Sequence, residues 1–106
     1  MKRLMVGIVA AAAALVLAAP ASADVDTDFT NELHLYGIYG QKDYNAWIAK
    51  ITCKRLKNGV DVTANDSAKF VHDQLVKDTT TEQAWQFLGA GLRLYCPDRL
   101  PILTQG

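Results

Sequence analysis

Thr80-Thr81-Glu82-Gln83-Ala84-Trp85-Gln86-Phe87-Leu88-Gly89-Ala90-Gly91-Leu92-Arg93-Leu94-Tyr95-Cys96-Pro97 is the stretch that decides the fold class of this chain. Thr80 and Gln83 have the spacing of a capping box, in which side chains and backbone at a helix start satisfy each other. Pro97 forbids continuation, because it has no N–H and its ring clashes with the preceding turn. Between these limits Ala84, Phe87, Leu88, Gly91 and Tyr95 recur at helical spacing. Trp85, Leu92, Leu94 and Cys96 widen the apolar arc to roughly half the circumference, broader than the ~100° stripe of a surface helix. The stretch therefore predicts a buried helix with neighbours on two sides.

Three upstream segments supply them. A first helix starts with Asp26 or Thr27 as N-cap and ends at Gly37, with Phe29, Leu33 and Tyr36 on one face and His34 turned toward solvent. After a glycine-containing loop, a second runs from Tyr44 to Asn58, with Asp43 as N-cap and Gly59 as C-terminal stop. Ile48, Ala49, Ile51, Cys53 and Leu56 form its wide apolar arc, while Lys50, Lys54 and Lys57 share an outward face. A third helix, capped by Thr63, Asn65 or Asp66, carries Ala64, Ala68, Val71 and Leu75 on its core face and reaches about Val76. His72 borders that face as a hydrogen-bonded structural residue. Phe70 projects roughly opposite it, so it is either exposed or covered by another segment. The tail from Asp98 to Gly106, with Leu100, Ile102 and Leu103, is the candidate cover.

At the other end of the chain, Lys2 and Arg3 precede an uncharged run from Leu4 to Ala19, and Ala21-Ser22-Ala23 offers the small residues of a cleavage site. This is the pattern of a secretory signal peptide, residues 1–23, and the run is short for the ~20 residues that span a bilayer. A mature chain of residues 24–106 would be one helical domain with a short C-terminal tail and no transmembrane anchor. Without the 23 leader residues, two of them basic, the 106-residue chain keeps 83 residues with nine Lys plus Arg against eleven Asp plus Glu. So small a core is marginal without a staple. In an oxidising compartment Cys53 and Cys96 supply one as a disulfide, and two cysteines allow a single intramolecular pairing. An up-down-up path through helices two, three and four puts both cysteines at the same end.

Cys53-x-x-Leu56-x-x-Gly59, Thr80-x-x-Gln83-Ala84 and Tyr95-Cys96-Pro97, together with Asp28-Phe29, Leu33 and Gly37-Ile38, resemble a group of small exported actinobacterial proteins, domain of unknown function 732. The resemblance covers nearly all of the mature chain. It implies an all-α, disulfide-linked, secreted domain of the cell envelope or culture fluid, and it implies no activity. Trp47 and Thr52 stand where smaller or aliphatic residues are expected.

No catalytic motif accompanies this architecture. The sequence has no H-E-x-x-H or paired C-x-x-C metal spacing, no G-x-S-x-G elbow and no phosphate-binding glycine loop. Gly89-Ala90-Gly91 lies inside a helix, where close approach of a neighbour is the expected compensation for the glycines. The expectation is thus a small four-helix, non-enzymatic domain with no cofactor, no metal and no nucleic-acid partner. It would act as an interaction module at the envelope, binding protein, glycan or lipid through Lys50, Lys54 and Lys57 or through Phe70. The alternative is a carrier of a small apolar ligand such as haem or lipid, built on His34, Tyr36, Tyr39, Tyr44 and Trp47 near the first loop.

Overall fold

The computed structural model describes residues 25–104, so the expected leader over residues 1–23 lies outside the described residues. Four α-helices, α1 (Val25–Leu35), α2 (Lys42–Lys57), α3 (Ala64–Gln74) and α4 (Thr81–Tyr95), are followed by a 3-10 helix over Pro97–Thr104. The expected all-α, disulfide-linked class is what the chain adopts. Helix α4 is the central element and packs against all the others. Its capping box forms as read, with Thr80 Oγ1 accepting from Gln83 N–H at 3.0 Å and Gln83 Oε1 accepting from Thr80 N–H at 2.9 Å.

Two layers of apolar side chains flank α4. One gathers Phe29 and Leu33 of α1, Ile48 and Ala49 of α2, Val71 of α3 and Phe87 of α4. Phe29 is fully buried and meets Phe87 and Tyr95 edge-on, at centroid distances of 5.0 and 5.3 Å, the arrangement that ring quadrupoles favour. The second layer joins Leu56, Ala64, Ala68, Leu88 and Leu92, and Leu100, Ile102 and Leu103 of the 3-10 helix pack onto it. Gly91 permits a close approach of α2 and α4: a Cβ there would lie 3.4 Å from that of Ala49. Gly89 meets nothing comparable, so close approach explains only one of the two helical glycines.

Both α1 and α2 end in a Schellman motif. At α1, Ile38 N–H bonds Leu33 C=O and Gly37 N–H bonds His34 C=O, and at α2 Val60 N–H and Gly59 N–H reach Arg55 and Leu56. Each motif has its glycine at φ +77°, which only glycine adopts without cost. The Cys53–Cys96 disulfide joins α2 to the end of α4 with Cα atoms 6.0 Å apart.

Several details differ from the sequence reading. Helix α2 begins at Lys42, with Gln41 as an N-cap that makes no side-chain cap bond, and Asp43 sits inside the first turn where its charge favours the dipole. Asp26 likewise lies within α1, and its carboxylate accepts the Tyr95 hydroxyl at 2.5 Å. Thr63, with Asp66 completing a capping box, is the cap of α3. The tail does not serve as the expected cover of Phe70. It lies over the second layer, and Phe70 is half-buried against the first with the Arg55 guanidinium 4.2 Å above its ring.

Candidate binding surfaces

The α1–α2 and α3–α4 loops meet at one end of the bundle and leave a groove of about 440 Å³ between them. Its walls are Ile38 and Tyr39 of the first loop, Tyr44 and Asn45 of α2, and Leu75 and Val76 beyond α3. Three hydrogen bonds fix the segments around it. Gln83, already in the α4 cap, donates its Nε2–H to Tyr36 C=O at 3.0 Å. The Tyr44 hydroxyl donates to Gln74 C=O at 3.0 Å, and His72 Nε2 lies 2.8 Å from Thr79 C=O. His72 is thus the hydrogen-bonded structural residue its position suggested.

Tyr39, Tyr44 and Val76 of the lining are exposed, as is Trp47 beside Tyr44, while Leu35, Val60, Val62 and Trp85 are exposed elsewhere on the surface. Tyr39 is 68 % exposed, Val76 71 %, Trp47 50 % and Tyr44 45 %. Tyr44 stacks on Trp47 with ring centroids 6.0 Å apart, and Tyr39 tilts over His34 at 5.1 Å. The cluster expected from His34, Tyr36, Tyr39, Tyr44 and Trp47 therefore resolves into two exposed pairs. Tyr36 does not join them: its hydroxyl donates to Glu32 at 2.7 Å and its ring packs on the core. That bond pushes the Tyr36 phenol up, while the Arg93 hydrogen bond to the other Glu32 oxygen holds the carboxyl below its usual range against the opposing effect of burial.

Asn45 is the groove residue that sequence reasoning missed. It is 3 % exposed, and its side-chain amide makes no hydrogen bond among the described residues. No fully enclosed side-chain nitrogen or oxygen lacks a partner there, so the amide's polar atoms open onto the groove. The sequence does carry a signal for it, because Asn45 falls on the apolar stripe of α2 with Ile48, Ala49, Thr52 and Leu56. Thr52, the other polar residue on that stripe, is satisfied locally by donating to Ile48 C=O at 2.8 Å.

The basic face of α2 is divided. Lys50 lies 3.8 Å from Asp26 and 5.9 Å from the centre of the Tyr95 ring. Lys54 and Lys57 make no ion pair among the described residues, and with Arg99 and Asp98 they border a shallow hollow of about 510 Å³ beside the disulfide. Among the described residues no three His, Cys, Asp or Glu side chains converge as a metal site, and no helix is long and apolar enough to cross a membrane.

The family model described as "Protein of unknown function (DUF732)" matches residues 25–98. Two uncharacterized proteins of Mycobacterium tuberculosis, from strains CDC 1551 / Oshkosh and H37Rv, are each 52 % identical over 94 residues, which cover 88 % of this chain and 84 % of theirs. No solved structure matches the chain.

Proposed function

The chain belongs to the DUF732 family of proteins of unknown function, and on that premise we propose a non-enzymatic binding domain that works outside the cytoplasm, at the envelope or in the surrounding fluid. The export pattern of residues 1–23 and the Cys53–Cys96 bond support the location, since disulfides persist in oxidising compartments. One observation carries the binding role. Exposed Tyr39, Tyr44 and Val76 line one groove, and exposed Trp47 stacks on Tyr44 beside it; grouped apolar exposure of this kind is what partner surfaces have. Lys54, Lys57 and Arg99 add a basic patch at the disulfide that suits anionic envelope material.

Carriage of a small apolar ligand such as haem or lipid is the second reading, because the groove has the volume of a small-molecule site. Its half-exposed rings favour docking of a larger partner over enclosure of a small one. The test is retention of the exported protein on fractionated envelope material, compared with a Tyr39→Ala/Trp47→Ala variant of equal stability. The binding role requires the variant to lose retention. Equal retention refers binding to another face, and a bound chromophore or lipid in the mass spectrum of the purified protein supports the carrier.

A further inference from the structure

The Cys53–Cys96 bond lies where a dissolved reagent can reach it. Both half-cystines are half-buried and line the hollow of about 510 Å³ near the end of α2, whose other walls are Lys54, Lys57, Asp98 and Arg99. Three cations and one carboxylate thus surround a sulfur–sulfur bond. Asp98 is taken up by Arg99, 3.5 Å away, whereas Lys54 and Lys57 make no ion pair among the described residues. Lys57 stands one turn beyond Cys53 on α2, the spacing at which two side chains of a helix are neighbours. Last-turn lysines also suit the dipole of α2, but that is an effect on stability alone. Thiol–disulfide exchange draws on the whole arrangement, because the attacking group and the leaving group are both anions.

We propose that this hollow is a thiol-exchange site for an anionic thiol, a small molecule that carries carboxylate groups beside its thiolate. Lys54, Lys57 and Arg99 hold the anion, and its thiolate attacks Sγ of Cys96. A new sulfur–sulfur bond forms to Cys96, the Cys53–Cys96 bond breaks, and its electron pair leaves on Cys53 Sγ, which takes a proton from water. Cys53 is the leaving sulfur because the unpaired Lys54 and Lys57 stabilise it as thiolate, and the better-stabilised thiolate leaves faster. A second thiolate of the same class attacks the first one's sulfur in the mixed disulfide and frees Cys96. Two thiols are thereby oxidised to a disulfide as the cystine is reduced to two cysteines. Opening the bond unlinks α2 from the end of α4, where the 3-10 helix begins that lays Leu100, Ile102 and Leu103 on the second layer. The inference specifies what the basic patch takes and is independent of the loop-end groove, whose retention test reads Tyr39 and Trp47.

The test is the initial rate at which the folded, exported protein loses its disulfide to mercaptosuccinate, 2-mercaptoethanol and cysteamine, an anionic, a neutral and a cationic thiol. Each rate is divided by that thiol's rate with bis(2-hydroxyethyl) disulfide, which cancels intrinsic nucleophilicity. Acid quench, alkylation and intact mass count the opened molecules. Mercaptosuccinate should exceed 2-mercaptoethanol by about ten-fold, on the scale of electrostatic steering into a charged cleft, and cysteamine should be slowest. High salt should collapse the spread. Lys54→Gln/Lys57→Gln should remove it as well, while Lys42→Gln/Lys77→Gln, an equal change of net charge at exposed positions of the opposite end of the bundle, should keep it. Peptide mapping should find the adduct on Cys96. No opening short of unfolding, equal normalised rates for the three thiols, a spread that survives Lys54→Gln/Lys57→Gln or is lost equally in Lys42→Gln/Lys77→Gln, or an adduct on Cys53 would each overturn the proposal.

Discussion

Arg55 closes on Asp61 through two hydrogen bonds of 2.9 Å, Nε to Oδ2 and Nη2 to Oδ1, at a point where Asp61 is 3 % exposed. Ser67 donates to the same carboxylate at 3.0 Å, and the guanidinium face lies over Phe70. One carboxylate thus joins the end of α2, the loop and α3, while the cation above it shields an aromatic ring. The bond to Asp61 also pushes the Arg55 guanidinium up, against the opposing effect of burial. Asp61→Ala should destabilise the domain by about 1–3 kcal/mol, because it removes the acceptor of Ser67 and of both Arg55 hydrogen bonds, while the Arg55 side chain, 33 % exposed, can still turn to water. Urea unfolding of wild type and variant measures it, and a loss under about 1 kcal/mol would mean the loop holds without the clasp.

Reducing the Cys53–Cys96 bond should lower stability by about 4 kcal/mol in the chain-entropy account, since it frees a loop of 43 residues in the unfolded chain. For so small a domain that is a large share of the total. Thermal unfolding with and without reductant reads the effect directly, and an intact mass showing two free thiols in the exported protein would contradict the bond itself.

The two glycines of α4 should respond differently to alanine. Gly89→Ala meets open space and should stabilise by about 0.5–1 kcal/mol through helix propensity and a more restricted unfolded chain. Gly91→Ala sets a methyl 3.4 Å from Ala49, so crowding offsets that gain. Equal stabilisation by both would show that α2 and α4 are not held at close approach.

Stability should fall at both extremes of pH. The Glu32 carboxyl, held low chiefly by its Arg93 hydrogen bond, and that of Asp66, held low chiefly by the Val62 and Thr63 backbone N–H groups, contribute stability above their unfolded pKa of about 4. It is lost as pH falls through their lower folded values. Tyr95 has the opposite sense. Burial, and after it the bond to Asp26, pushes its phenol up, so its contribution is whole below about pH 10 and is lost as pH rises toward the folded value. Tyr95→Phe should flatten the alkaline limb of a stability–pH curve and leave the acid limb in place.

The order and type of the helices were legible because caps and apolar period agree, as at Thr80, Gln83 and Pro97. The start of α2 was not, because Gln41 makes no side-chain cap bond and cap chemistry was the signal being read. Phe70 was read as projecting opposite the core stripe of α3, whereas it is half-buried against the first core layer, and its cover, Arg55, depends on the ion pair with Asp61. The spacing of Lys50, Lys54 and Lys57 showed one face but could not reveal that Lys50 is drawn to Asp26 of another helix. Tyr39, Tyr44 and Trp47 were recognised as a group. The groove that Tyr39 and Tyr44 line required the packing of the α3–α4 loop, which local sequence does not encode.

The most direct test of the binding account is chemical-shift mapping of the exported protein on titration with solubilised envelope material. The account predicts perturbations concentrated at Tyr39, Tyr44, Asn45, Trp47 and Val76, and their loss in Tyr39→Ala/Trp47→Ala. Shifts confined to other faces of the bundle, or a response unchanged in that variant, would contradict it.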